Sequence, residues 1–195
     1  MSLPSLTSLI NLFRPPDAPD CRAGRCVAVI DCVLNQNVRD RGAASFPGMN
    51  FELLQLCHER RVGVLQMPCP EIAAMGFKRE RPSGTTIRQA LDTPAGREAC
   101  TELAVSVAAR MRALIDEGVE LVAVLGGNSR SPGCAVHGDA SGLSDEAGIF
   151  MQALQRELRQ RAIEVPFRAM RDASPALLAE DLLWFRALLD CRRRQ

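Results

Sequence analysis

Cys26-Val27-Ala28-Val29-Ile30-Asp31-Cys32 sets five apolar residues in unbroken succession and then a carboxylate and a thiol. A strand with one wet face alternates, whereas a continuous apolar run bounded by polar residues is what a strand covered on both faces presents. Three further segments read as strands. Val62–Met67 is stopped by Pro68 and Pro70, Leu121–Leu125 runs into Gly126-Gly127, and Ile163–Met170 is the fourth. Helical spacing fills the intervals. Asn50–Arg61 carries Phe51, Leu53, Leu54 and Leu56. Thr93 as N-cap and Pro94 at the first helical position open a helix to about Glu117, ended by Gly118. Ser144–Arg161 reads as a helix capped by Ser144-Asp145-Glu146, and Pro175–Arg192 as a final amphipathic one. Strands alternating with helices indicate βαβ units. The expectation is an α/β, Rossmann-like three-layer domain with a mainly parallel sheet of about four strands, covering residues 24–195. Residues 1–23, with Arg14-Pro15-Pro16-Asp17-Ala18-Pro19, are expected to form an N-terminal arm.

Composition narrows the class of function. The chain has 195 residues and a formal net charge of +1, so no strongly charged partner is implied. A chain of this length buries roughly 70 % of its unfolded surface and needs no disulfide staples. Aromatic residues are few and tyrosine is absent. A stacking surface for a nucleic-acid polymer is therefore not expected. No apolar run approaches the roughly 18 residues of a membrane span. Met1–Phe13 lacks a basic start and a cleavage site, so no secretory leader is expected either. Eight cysteines without a secretory signal point to a reducing, cytoplasmic setting, where thiols serve metals or catalysis.

The cysteines sort by position. Cys32 lies just past the first strand, Cys69 just past the second, and Cys134 in the loop after the third. All three belong at the carboxyl edge of the sheet, where open α/β folds place their sites. Cys57 and Cys100 fall among Leu, Ala and Val in predicted helices and read as small core residues. Cys21, Cys26 and Cys191 carry no assignable role. Three thiols at strand ends suit zinc, an iron–sulfur cluster, or a coincidence of position with no shared role. The neighbours add chemistry. Pro68-Cys69-Pro70-Glu71 sets a carboxylate beside a thiol. Gly126-Gly127-Asn128-Ser129-Arg130-Ser131-Pro132-Gly133-Cys134 offers free backbone N–H groups and a hydroxyl three residues before a thiol.

At these segments the chain resembles the thiouracil desulfurase family. The likeness runs roughly from Cys26 to Met170 and rests on Asp31-Cys32 with a loop ending at Arg39, on Cys69-Pro70-Glu71, and on Ser131-Pro132-Gly133-Cys134. Two stretches depart from the better-known members, which makes this chain resemble a side branch. Asn35-Gln36-Asn37 stands in place of a glycine-bearing loop, and Ile72-Ala73-Ala74-Met75-Gly76-Phe77 in place of a glycine-rich one. The resemblance implies a 4Fe–4S cluster held by Cys32, Cys69 and Cys134, with one iron open to the sulfur of a thiolated base that water then replaces at carbon. It also implies catalytic roles for Glu71 and Ser131. A carboxylate can take the proton of the attacking water, and a hydroxyl can donate to developing charge. Arg39 and Asn128 complete a candidate substrate-binding set with Arg79 and Arg81. Those two lie in Lys78-Arg79-Glu80-Arg81-Pro82-Ser83-Gly84-Thr85-Thr86, a basic loop feeding a short helix and suited to an anionic group. A cluster-dependent lyase of the dehydratase kind is the nearest alternative. From a different class, His137 would complete a Cys₃His zinc site in a structural or interaction domain.

Overall fold

The computed structural model describes residues 20–139 and 142–192. Most of the expected arm lies outside the described residues, and Asp20–Ala23 lead into the sheet as coil. Four parallel strands form the sheet: β1 (Arg25–Ile30), β2 (Gly63–Met67), β3 (Glu120–Gly126) and β6 (Phe167–Ala169), in the order β2-β1-β3-β6. A two-stranded hairpin of β4 (Gly138–Asp139) and β5 (Gly142–Leu143) stands apart. Seven α-helices are present among the described residues, besides a short 3-10 helix at Gln36–Val38. They are α1 (Asp31–Leu34), α2 (Phe51–Glu59), α3 (Pro70–Met75), α4 (Ile87–Leu91), α5 (Pro94–Asp116), α6 (Ile149–Gln160) and α7 (Pro175–Cys191). The fold is the expected α/β three-layer type with a mainly parallel sheet.

The apolar runs do what their composition dictates. Val27 to Ile30 and Val122 to Leu125 are fully buried, so the two central strands are covered on both faces. β2, at the edge, exposes Val64. On one side α5 packs against both α6 and α3. Arg60, at the end of α2, pairs with Asp190 near the end of α7. Cys57 and Cys100 are buried as small core residues, and burial pushes their thiols up to about 12 and about 11.

The expected boundaries hold for α5, where the Thr93 hydroxyl accepts from the Gly96 amide and Gly118 takes a positive φ of 80°. Two expected elements are shorter. The fourth strand is confined to Phe167–Ala169, because Pro166 has no N–H to give the ladder and supplies only its carbonyl, to Val124. The helix expected from Ser144 begins at Ile149, since Ser144–Ala147 close a separate turn. α6 has no side-chain cap. The amides of Gly148, Ile149 and Phe150 instead donate to the carbonyls of Ala135, Pro132 and Gly133, which stitches the Cys134 loop onto the helix.

α4 meets α5 at Gly96, where a β-carbon would fall 2.4 Å from the Ala90 carbonyl oxygen and 2.7 Å from the Leu91 Cα. Both are backbone atoms and cannot swing aside. Gly96→Ala is therefore expected to destabilise the chain by about 1–3 kcal/mol, read as a lower denaturant midpoint at unchanged slope. A midpoint that rises would show that the turn yields freely.

Candidate active site

Between β1 and β3 the chain order reverses: the connection from β1 leads outward to β2, and that from β3 leads outward the other way to β6. Such a switch point opens a crevice beyond the strand ends. Register fixes what enters it. Ile30 pairs with Met67, so Cys32 and Cys69 each lie two residues past a matched pair. Gly126 pairs with Ala169, and Asp172 follows three residues on.

Cys134 reaches the same crevice because its loop turns back on β3. The Gly127 amide donates to the Cys134 carbonyl at 2.9 Å, and a β-carbon on Gly127 would lie 2.7 Å from the Cys134 sulfur. A β-carbon on Gly133 would lie 2.6 Å from Pro70 Cγ, so this loop is seated directly on the Cys69-Pro70 segment. The glycines are thus needed for close approach rather than for flexibility. The Cys32 and Cys134 thiols hydrogen-bond to each other, and Cys134 also senses the charge of Cys69. Cys32, Cys69 and Cys134 are free thiols.

Each thiol has its own polar neighbour. Arg39 Nη2 stands 3.9 Å from Cys32 Sγ, Arg79 Nη2 4.0 Å from Cys69 Sγ, and Ser131 Oγ 2.9 Å from Cys134 Sγ. The bond from Cys134, opposed by burial and helped by Arg39, holds Cys32 below the ordinary thiol value. That same bond and burial lift Cys134 well above it. Burial raises Cys69 and the Glu71 charge adds to this. The amides of Ile72 and Glu71 and the Arg79 charge oppose it, although Cys69 closes no cap hydrogen bond on α3. The Asp31 carboxylate accepts from Gln66 Nε2 at 2.6 Å and faces the Cys69 amide, tying the exits of β1 and β2 together.

Glu71 lies in the first turn of α3, half-buried, with Oε2 accepting from Arg79 Nε at 2.7 Å. Arg79 is itself buried, with a left-handed φ of 49°, and donates also to the carbonyls of Val38 and Phe77. Its donors are engaged within the fold. Arg81 is exposed and spans the Thr85 and Arg79 carbonyls. Arg39 and Asn128 come together through a residue that the sequence patterns did not single out. Asp172, with its side chain wholly buried, accepts from Arg39 Nη2 at 2.7 Å, from Asn128 Nδ2 at 2.8 Å and from Gln36 Nε2 at 3.1 Å. The one signal for it in the sequence is its place just past the fourth strand, with no motif around it. His137 sets Nε2 against the Ser129 carbonyl at 2.7 Å.

The donor chemistry fits an iron–sulfur cluster: three thiols, with no imidazole or carboxylate among them, and basic or hydroxyl neighbours for each sulfur. Among the described residues, no three or more His, Cys, Asp or Glu side chains close around a single metal ion. A cluster presents a separate iron to each thiolate, and so takes its ligands from further apart than one ion does. No described helix is long and apolar enough to cross a membrane.

No protein-family model matches the chain, and no solved structure matches it. Among curated proteins, Uncharacterized protein MJ0003 of Methanocaldococcus jannaschii is 25 % identical over 144 residues, 73 % of this chain and 87 % of that protein.

Proposed function

We propose that the chain is a cytoplasmic, non-redox desulfurase that hydrolyses the carbon–sulfur bond of a thiolated small molecule, a thio-nucleobase or its nucleotide, and releases sulfide. The observation that carries this reading is the meeting of three thiols, Cys69 and Cys134 buried and Cys32 half-buried, with Glu71 and Ser131 at one sheet edge. Cys32, Cys69 and Cys134 would hold a 4Fe–4S cluster. When bound, that group supplies a soft Lewis-acidic iron for the sulfur of the substrate.

The protein supplies the rest. Arg79 takes one carboxylate oxygen of Glu71, and Oε1 carries no bond among the described residues. That oxygen is left to receive the proton of an attacking water. Ser131 sits on the Cys134 sulfur and can turn its hydroxyl toward charge developing on the substrate. Arg39 and Asn128 are held rigid by Asp172, so a polar edge of the substrate would meet donors whose orientation is already fixed.

The test is purification without oxygen, with metal analysis and a screen of thiolated bases for sulfide release. The expected result is about four iron per chain and a broad visible absorption band. The wild type should also release sulfide, and Cys134→Ala should lose the iron, the band and the sulfide release together. One zinc per chain without colour would overturn the reading.

A further inference from the structure

A second cavity lies beside this site. It has a volume of about 860 Å³ and is walled by the β4–β5 hairpin, α6, β6 and α7. That is the size of a small-molecule pocket. Val136, Leu143, Ile163 and Phe167 give it an apolar side, and Ser129, from the loop that carries Ser131 and Cys134, marks its rim. No role in the reaction proposed above calls on it.

Its chemistry centres on one buried carboxylate. Asp181 is fully buried and serves two guanidinium groups, accepting from Arg168 Nε at 2.8 Å and from Arg171 Nε and Nη2 at 2.8 and 2.6 Å. Arg171 has a second, mostly exposed partner in Glu180, 3.3 Å away. Arg168 has none. Only its Nε is engaged among the described residues, its guanidinium lies over the Trp184 ring at 5.6 Å, and it lines the cavity. An arginine pinned at Nε by a buried acid, and stacked so that it cannot swing, presents its two terminal nitrogens as a fixed fork. Forks of this kind take a carboxylate or phosphate through two parallel bonds. Glu164 on the same lining disfavours a second anionic group.

We propose that this cavity is a binding site for a small molecule with one anionic head, a carboxylate or phosphate monoester, on an apolar or flat body, with the head on Arg168. Trp184 is the chain's single tryptophan and there is no tyrosine, so its emission reports on this cavity alone. The experiment titrates the protein with benzoate, phenyl phosphate and benzamide, the last being the uncharged match of benzoate. At least one of the two anions is expected to change the emission saturably, and benzamide is not. Arg168→Lys keeps a cation for Asp181 but removes the fork, and should weaken that binding about ten-fold or more at an unchanged melting temperature. The comparison of benzoate with benzamide on the wild type needs no variant to fold. No saturable response to either anion, an equal response to benzamide, or undiminished binding by Arg168→Lys would each overturn the proposal. The readout needs neither iron nor turnover, so its failure leaves the desulfurase reading untouched.

Discussion

Glu71→Gln is expected to slow sulfide release about 10²–10⁴-fold while the iron content of the protein stays at the wild-type level. The reason lies in how the carboxylate is held. Arg79 Nε takes one oxygen at 2.7 Å, and a glutamine can still offer its carbonyl oxygen there, so the buried guanidinium keeps a partner. What glutamine cannot do is accept a proton from water at the remaining position. The proposed ligands Cys32, Cys69 and Cys134 are unchanged, so a fall in rate at constant iron separates proton transfer from cofactor loss. A loss smaller than about ten-fold would remove Glu71 from the chemistry. A parallel loss of iron would make it a support for Cys69 instead.

Asp172→Ala is expected to cost about 3–5 kcal/mol of stability, because it removes the acid of a buried ion pair and leaves the base behind. The Arg39 side chain is 6 % exposed and that of Asp172 wholly buried, so water cannot take over the guanidinium. Gln36 and Asn128 lose an acceptor in the same step. For a chain of this length the change corresponds to a melting temperature lower by about 6–20 °C. Asp172→Asn, which keeps the shape and one acceptor oxygen, should lose less. If alanine and asparagine are equally harmless, the pair contributes no net stability and the hub is held by its surroundings.

The parts of this molecule legible in the sequence are those whose physics is local. An unbroken apolar run such as Val27–Ile30 has few places to go other than the centre of a parallel sheet, and Thr93-Pro94 can open a helix in any context. Cys32 and Cys69 were legible because each lies two residues past its strand, and parallel strands bring equal offsets together; Cys134, eight residues past β3, was legible only as a thiol in the loop leaving the same edge. The start of α6 was not legible, since its acceptors are the carbonyls of residues 132–135, and a backbone carbonyl leaves no trace in residue type. Asp172 was hidden for a related reason. Its partners lie 133, 136 and 44 residues away, and nothing beside it in the chain marks it. The environment of Arg79 was also out of reach. A run of basic residues reads as a solvated loop, whereas this member turns inward with a left-handed backbone to meet Glu71.

The seam between the Cys134 loop and α6 has a consequence for assembly of the centre. A helix must find acceptors for its first amides whether or not a cofactor is bound, and here it finds them in the loop's own carbonyls. The loop's shape is therefore underwritten by the folding of α6, and the thiol it carries is held at the crevice with no cofactor bound, ready for the cluster proposed above. On the proposed cluster reading, maturation would resemble filling a socket that is already cast, with little chain to order on loading. The amides of Gly148, Ile149 and Phe150 should accordingly exchange with deuterium as slowly in the empty protein as in the loaded one.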